Sequence, residues 1–231
     1  MKSIVIVTIK EWNIKNYFEL KAKYEKEFRF FLVTSVEELT YEAIEKIKPK
    51  YIFFPHWSWI IPKTIYEKYE CVVFHMTDLP FGRGGSPLQN LIVNEIYDTK
   101  ISAIRVNNEL DSGDIYLKED LNIAIGSAEE IFINASNITF QKIIPQFLKK
   151  DLKATPQEGD VTIFKRRKPF QSNLLELDNL TINRVYDFIR MLDAEGYPKA
   201  FIPLNSLKIE FSEVHKKGDK VIGRFEVIEN E

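Results

Sequence analysis

The chain has 231 residues, of which 45% are hydrophobic, and its 32 Lys and Arg against 34 Asp and Glu give a net charge of −2. The apolar share is enough for a folded core, which excludes general disorder. No apolar run approaches the roughly 20 residues that cross a bilayer, which argues against a membrane partner. The charge balance also argues against a nucleic-acid partner, because general nucleic-acid binders neutralise phosphates with a basic excess.

The first residues, MKSIVIVTIKEW, hold one Lys and a short apolar run before charge returns. A secretory signal needs a longer apolar stretch and a small-residue cleavage site, so we predict a core strand here and a cytoplasmic protein. The single cysteine, Cys71, excludes an internal disulfide and a cysteine-based zinc site. We therefore expect no metal.

Short apolar runs rich in β-branched and aromatic residues predict buried strands at 3–9, 28–34, 51–55, 71–75 and 100–106. Continuous apolar strands are typical of a parallel sheet that is covered on both faces. Ser35 and Glu38 form a capping-box pattern ahead of a helix that Pro49 must stop. Further helices are predicted at 62–69, 87–97 and 127–150. The alternation predicts an α/β fold with a doubly wound, mostly parallel, Rossmann-like sheet.

The character of the chain changes after residue 150. Residues 153–160 read as a Pro-, Gly- and acid-containing linker, and two β-like runs at 207–214 and 220–228 flank a hairpin-like turn. We predict a core at 1–150, followed at 151–231 by a linker and a small C-terminal appendage that contains the hairpin. The hairpin is a candidate for self-association into a homodimer, with capping of the main sheet as the alternative.

Ligands of a parallel α/β sheet bind beyond the carboxyl ends of its strands, so the loops that leave those ends are the candidate site. Lys10 and Asn13 follow the first strand, where they could hold an anion at a helix start, or simply belong to a solvated loop. Trp57 and Trp59 surround Ser58 after the third strand. They could clamp a flat heterocycle by stacking, and local core packing is the alternative.

His75 ends an apolar strand and is followed by a Gly-rich, Pro-bounded loop, and residues 107–114 form an acidic turn after the next strand. If these strands are neighbours, His75 and an aspartate of the turn could meet over the sheet. A carboxylate beside an imidazole orients the ring and tunes its proton affinity, which is useful for proton transfer. The spacing alone leaves open whether this pair forms.

These two loops resemble the signatures of the folate-dependent formyltransferases. The catalytic loop of that superfamily reads approximately N-x-H-x-S-L-L-P-x-x-R-G-x-x-P, and residues 73–87 read V-F-H-M-T-D-L-P-F-G-R-G-G-S-P. Its second signature, roughly L-D-x-G, corresponds to residues 110–113. The stretch RRKP…FIRML…GYPKAF at 166–201 is similar to the segment that follows the formyltransferase core. The likeness is greatest to bacterial sugar N-formyltransferases of pseudaminic-acid-type pathways.

The resemblance implies transfer of a formyl group from N10-formyltetrahydrofolate to the amine of a nucleotide-linked amino sugar, namely a UDP-4-amino-4,6-dideoxy sugar. It implies that His75 and Asp111 are catalytic. The residues that it assigns to folate are Ser58, Trp59, Ile60, Asn108, Glu109 and Asp111. Our candidates for the acceptor side are Lys10, Asn13, Thr77, Arg83, Gly84, Gln89 and Asn90.

One departure from the family pattern concerns the catalytic asparagine, which lies two residues before the histidine and is Val73 here. The missing amide would help to hold the oxyanion, and the candidate replacements are Asn108, Asn90, Thr77 and Ser58. Two alternative functions stay open. One is formyl transfer to another amine, on methionyl-tRNA or an aminoacyl carrier, although the C-terminal segment lacks the basic excess expected for tRNA. The other is a non-catalytic folate- or nucleotide-binding protein.

Overall fold

The computed structural model describes residues 1–230. Its strands, in chain order, are β1 (Lys2–Val7), β2 (Phe28–Val33), β3 (Tyr51–Phe54), β4 (Cys71–His75), β5 (Arg83–Gly84), β6 (Asp98–Arg105), β7 (Ile115–Asn122), β8 (Ile163–Phe164), β9 (Ala200–Leu204), β10 (Leu207–Lys217) and β11 (Lys220–Glu229). Its α-helices are α1 (Glu11–Tyr24), α2 (Tyr41–Ile47), α3 (Lys63–Tyr66), α4 (Pro87–Val93), α5 (Ala128–Ile138), α6 (Ile144–Lys149) and α7 (Ile182–Arg190). No helix of the described part of the chain is long and apolar enough to span a membrane.

The chain forms two compact units, and each is built from separate chain segments. The first unit comprises residues 1–83, 100–121 and 133–163, and the second comprises 84–99, 122–132 and the chain from 164 onwards. Both units draw on segments that precede residue 150. The division into domains at that residue stays a prediction.

The main sheet has six strands in the order β2-β1-β3-β4-β6-β7. The first four are parallel neighbours, and β6 runs antiparallel to β4. The runs Ile4–Val7 and Tyr51–Phe54 are buried at every position, because helices and loops cover both faces of the sheet. The predicted α/β fold with a mostly parallel, doubly wound sheet is confirmed. The direction of β6 was not foreseen.

Helix α2 begins later than the capping-box pattern predicts. Ser35 Oγ accepts from Glu38 N at 3.3 Å, but the Glu38 carboxylate accepts from Thr34 N at 2.9 Å and not from Ser35 N, so the two residues close a turn instead of a capping box. Thr40 is the actual cap, because its hydroxyl accepts a hydrogen bond from Ala43 N at 3.2 Å. The helix ends at Ile47, before Pro49 as predicted.

The long helix predicted at 127–150 is divided into α5, a π-helical turn at Thr139–Ile143 and α6. Pro145 explains the change, since a proline inside a helix removes one backbone donor and clashes with the preceding turn. The buried side chains Phe140, Ile143 and Phe147 still face the core, so the apolar pattern that predicted one helix is retained across the interruption.

The second unit contains an antiparallel sheet in the order β11-β10-β9. Its β10–β11 hairpin is the one that the two late β-like runs predict, and Gly218 in its turn has φ +60°. A bulge between Ser212 and His215 shifts the register of the pair. The predicted C-terminal hairpin is therefore confirmed.

Candidate active site

His75, the last residue of β4, and Asp111, in the turn between β6 and β7, lie side by side in the first unit. The Nδ1 atom of His75 is 3.5 Å from Oδ2 of Asp111, and the two side chains are only 9% and 14% exposed. Burial strengthens the interaction between them, because little water screens it. The structure thus brings together the two residues that the resemblance assigns to catalysis.

The second ring nitrogen of His75 is held by the loop that follows β4. Its Nε2 atom lies 2.8 Å from the carbonyl oxygen of Gly82. A carbonyl oxygen can only accept a hydrogen bond, so Nε2 carries a proton and donates it. In the neutral histidine, Nδ1 is then a hydrogen-bond acceptor, and so is the carboxylate of Asp111. Two acceptors attract one another only when one of them carries a proton. The geometry therefore puts Nδ1 and a carboxylate oxygen within reach of a shared proton.

The turn that carries Asp111 folds back along the sheet to reach His75. Arg105, at the end of β6, is opposite Val72, whereas His75 is opposite Ser102. Three residues of strand separate the two positions, which is about 10 Å. Asp111 has φ +52°, a left-handed backbone that costs free energy in most residues and is tolerated by aspartate. Such conformations are concentrated at functional sites.

Two predicted acceptor-binding residues of the catalytic loop are engaged with the protein itself. Thr77 donates its hydroxyl to the same Gly82 carbonyl at 3.3 Å. Arg83 donates from Nε and Nη2 to Oε1 of Gln157 at 3.0 and 2.8 Å. Gln157 was not predicted as a site residue, because it lies in the segment interpreted as a linker and is outside the family signatures.

The loop between β3 and α3 combines a buried aromatic with an exposed one. Trp57 packs against the core, with its ring centroid 6.4 Å from that of Phe54 and 4.8 Å from that of Trp59. Trp59 is 44% exposed and Ile60 is 94% exposed, and Ser58 is exposed as well. Trp57 is therefore partly buried against the core, while Trp59 and Ile60 present an apolar surface that a flat ligand could cover.

His56 begins this loop with φ +53°, and its ring meets Trp12 edge-on at a centroid distance of 5.9 Å. Burial, followed by the nearby charge of Lys10, lowers the pKa of His56 to about 4. The imidazole is therefore neutral near pH 7. This makes His56 a packing residue of the strand end and unsuited to hold an anion by its charge.

Asn13 and Lys10, the predicted anion-binding pair after β1, have different surroundings. Asn13 is buried and donates from Nδ2 to Thr8 Oγ1 at 2.9 Å and to the Pro55 carbonyl at 3.1 Å, so it ties the ends of β1 and β3 together. Lys10 precedes α1, and its Nζ atom lies 5.2 Å from the centre of the Trp12 ring. Of this pair, Asn13 is buried and Lys10 is half-buried.

Three further predicted acceptor residues, Gly84, Gln89 and Asn90, belong to the second unit. Gln89 is buried and donates to the Met191 carbonyl at 3.0 Å. The amide of Asn90 donates to the carbonyls of Gly85, Ser86 and Lys165 at 2.9 to 3.0 Å. Gln89 and Asn90 therefore hold backbone together within their own unit.

The remaining predicted residues lie on the acidic turn and on β4. Asn108 and Glu109 are exposed, and Glu109 N donates to Asn107 Oδ1 at 3.0 Å, which closes the turn. Val73 packs against the apolar core. Cys71 is buried, and its burial raises the pKa of the thiol, so it is a core residue as predicted.

The fold is that of the formyltransferases. A 4-N formyltransferase from Francisella tularensis shares the fold with a TM-score of 0.66 over 88% of this chain and 93% of that protein, at 14% identity. A methionyl-tRNA formyltransferase from Clostridium thermocellum is 51% identical, with a TM-score of 0.96 over 100% of both chains. The chain belongs to the methionyl-tRNA formyltransferase family.

Sequence comparison agrees with this assignment. Residues 169–228 match the family model of the methionyl-tRNA formyltransferase C-terminal domain. The methionyl-tRNA formyltransferase of Fusobacterium nucleatum is 30% identical over 190 residues, which are 78% of this chain and 59% of that protein. The chain spans 28 to 59% of the length of the first three such relatives that it matches.

These findings correct two predictions. The assignment as an enzyme that formylates a nucleotide-linked amino sugar is wrong, because the relative that matches the whole chain at 51% identity is a methionyl-tRNA formyltransferase. The exclusion of a nucleic-acid partner is wrong for the same reason. Net charge describes the chain as a whole and does not report local groups such as the exposed cations Lys165, Arg166 and Lys168.

Proposed function

We propose that this chain transfers a formyl group from N10-formyltetrahydrofolate to the α-amine of methionyl-tRNA. The observation that carries the chemistry is the buried His75–Asp111 pair, in which Nε2 is fixed by Gly82 and Nδ1 faces the carboxylate. The acceptor is supported by the 51% identity to a methionyl-tRNA formyltransferase over the whole chain.

The reaction requires two proton movements, and the pair can serve both. The attacking amine must lose a proton, and the departing nitrogen of the donor must gain one. In this proposal Asp111 accepts the proton of the amine, and His75 holds that proton on Nδ1 and returns it through Asp111. A positioned acid–base group of this kind contributes roughly 10²- to 10⁴-fold to a rate. N10-formyltetrahydrofolate, when bound, supplies the activated formyl group.

The side chains near the strand ends are of a kind that suits a folate. A pterin is a flat, partly apolar ring system, and such ligands are bound by aromatic and aliphatic side chains with a few polar groups. Trp59 and Ile60 are exposed after β3, and Leu110, beside Asp111, is 74% exposed. Large apolar side chains exposed in this way indicate a surface that a ligand or partner covers. These residues, with Ser58 and Asn108, are our candidates for the folate site.

The test is a formylation assay with purified chain, N10-formyltetrahydrofolate labelled in the formyl group, and methionyl-tRNA. We expect label to appear on the methionine in proportion to enzyme, and none to appear on uncharged tRNA. Binding of the folate without transfer to methionyl-tRNA would contradict the proposal. That outcome would favour the non-catalytic binding protein, for which the loss of the family asparagine at Val73 is the argument.

A further inference from the structure

We propose that Gln157 is a positioning residue that couples the histidine loop to the aspartate turn, and this inference rests on the proposed function. Residues 155–160 were predicted to be part of a linker at 153–160, and they belong to a segment, 155–162, that runs beside the two loops. The structure shows instead that it is anchored at both ends. Thr155 exchanges two backbone hydrogen bonds with Ile115 of β7, at 2.8 and 2.9 Å, and Thr162 accepts one from Arg83 N at 2.9 Å.

The side-chain amide of Gln157 uses both of its ends. Its Oε1 atom accepts two hydrogen bonds from the Arg83 guanidinium, at 3.0 and 2.8 Å. Its Nε2 atom donates to the backbone carbonyls of Asp111 and Gly113, both at 2.8 Å. A neutral amide is the side chain that can accept from a cation on one side and donate to two carbonyls on the other.

These bonds complete a ring of contacts around the reacting pair. Asp111 faces His75, and His75 donates to Gly82. Arg83 follows Gly82 in the chain and binds Gln157, which returns to the carbonyl of Asp111. Gln157 is the member of this ring that comes from neither loop. Its loss would free the turn and the loop to move independently.

The backbone of the aspartate turn explains why such a tie is needed. Asp111 has φ +52°, and the turn must fold back by about 10 Å from the end of β6 to reach His75. The far side of the turn is packed closely, because a Cβ atom at Gly113 would lie 1.7 Å from the Arg105 carbonyl oxygen. Gln157 binds the two carbonyls that flank Ser112, where the turn approaches the imidazole. A displacement of about 1 Å at a reacting group can cost on the order of 10²-fold in rate.

We expect Gln157→Ala to lower kcat in the methionyl-tRNA assay by about 10- to 100-fold, with KM for the folate and for the tRNA within about threefold of wild type. Gln157→Glu keeps the acceptor for Arg83 and loses the donor for Asp111 and Gly113. We therefore expect Gln157→Glu to be as slow as Gln157→Ala. Full kcat in Gln157→Glu would overturn the proposal.

Gln146→Ala is the matched control. Gln146 lies on α6, and the side-chain hydrogen bond described for it is donated to Glu119, at 3.3 Å. We expect it to retain wild-type kcat. Circular dichroism and the urea midpoint show whether each variant is folded. The positioning role would be contradicted if Gln157→Ala lost activity only in proportion to its unfolded fraction. Gln157→Glu repeats the test with a side chain of nearly the same shape.

A readout without substrates separates this inference from the proposed function. The chain has three histidines, so the side-chain ¹⁵N and ¹H signals of His75 can be assigned with His→Asn variants of the other two. In the wild type we expect the Nε2 proton, which is donated to Gly82, to be protected from exchange with water. In the variant Gln157→Ala we expect this proton to exchange at least about tenfold faster. An unchanged exchange rate in Gln157→Ala would refute the positioning role of Gln157, whether or not the wild type formylates methionyl-tRNA. Failure of wild-type formylation with faster exchange in the variant would refute only the proposed function.

Discussion

The carboxylate of Asp111 can be removed with little disturbance of its backbone. Asparagine tolerates the left-handed conformation that Asp111 adopts at φ +52°. We expect Asp111→Asn to lower kcat by about 10²-fold or more, because the amide cannot take over the proton-accepting role proposed for the carboxylate. Steady-state formylation of methionyl-tRNA measures the effect.

Asp120→Asn is the control for that substitution, since Asp120 is exposed and pairs with Lys100 at 2.6 Å. It should leave kcat unchanged. A mild effect of Asp111→Asn, within about threefold of the control, would mean that Asp111 only shapes the turn.

The oxyanion donor that replaces the family asparagine can be narrowed from four candidates to two. The amide of Asn90 is used by three backbone carbonyls, and the hydroxyl of Thr77 is used by Gly82. Asn108 and Ser58 are exposed. Loss of one oxyanion donor costs roughly 10²- to 10³-fold in kcat.

We therefore expect at least one of the variants Asn108→Ala and Ser58→Ala to lower kcat by about that factor. Asn108→Ala should have the larger effect, because Asn108 is three residues from Asp111. Asn90→Ala is expected to act through stability of the second unit instead. Measurement of kcat beside the urea midpoint separates the two kinds of effect. If neither Asn108→Ala nor Ser58→Ala slows the reaction, neither of these exposed side chains supplies the missing donor.

At the scale of the elements, the structure assigns the cap of α2 to Thr40. Its hydroxyl accepts from Ala43 N, whereas the capping-box pair Ser35 and Glu38 closes a surface turn. We expect Thr40→Ala to lower the free energy of unfolding by about 1 kcal/mol, the usual cost of removing a helix cap. Ser35→Ala should stay within about 0.5 kcal/mol of wild type. Urea unfolding compares the two, and a larger loss for Ser35→Ala would return the cap to the sequence-based position.

The elements also show which features the sequence could predict. Continuous apolar runs predicted the buried strands, and the spacing of the two late runs predicted the C-terminal hairpin. The direction of β6 was not predictable in this way, because a strand buried on both faces has the same apolar pattern whether it is parallel or antiparallel. The candidate site was predicted through the order of two short motifs. Their meeting depends on a backbone reversal at Asp111 that no periodicity reveals.

Gln157 illustrates a further limit of prediction. Its neighbours Pro156, Glu158 and Gly159 are typical of a linker, and one glutamine carries no periodic signal. Its position follows from the backbone pairing of Thr155 with Ile115, which is a long-range contact. The acceptor could not be predicted either, since the motifs around His75 and Asp111 report formyl chemistry and are not specific for the amine.

At the scale of the whole chain, stability should depend on pH through His56. The pKa of His56 is lowered to about 4 in the folded protein, against an ordinary value near 6.5. Between these pH values the unfolded chain binds more protons than the folded one. The contribution of His56 to the free energy of unfolding is therefore fully present above about pH 6.5, and it is lost as the pH falls toward 4. The largest loss is about 3 kcal/mol, because each pKa unit corresponds to about 1.4 kcal/mol.

His56→Asn isolates this contribution, because asparagine tolerates the backbone at φ +53° and does not titrate. Tryptophan fluorescence suits the measurement, since Trp12, Trp57 and Trp59 all belong to the first unit with His56. We expect the difference in urea midpoint between pH 7 and pH 4.5 to be smaller in His56→Asn than in wild type. His215→Asn, at an exposed position of the hairpin, should keep the wild-type difference. Equal pH dependence in wild type and His56→Asn would show that the imidazole of His56 is protonated as readily in the folded chain as in the unfolded one.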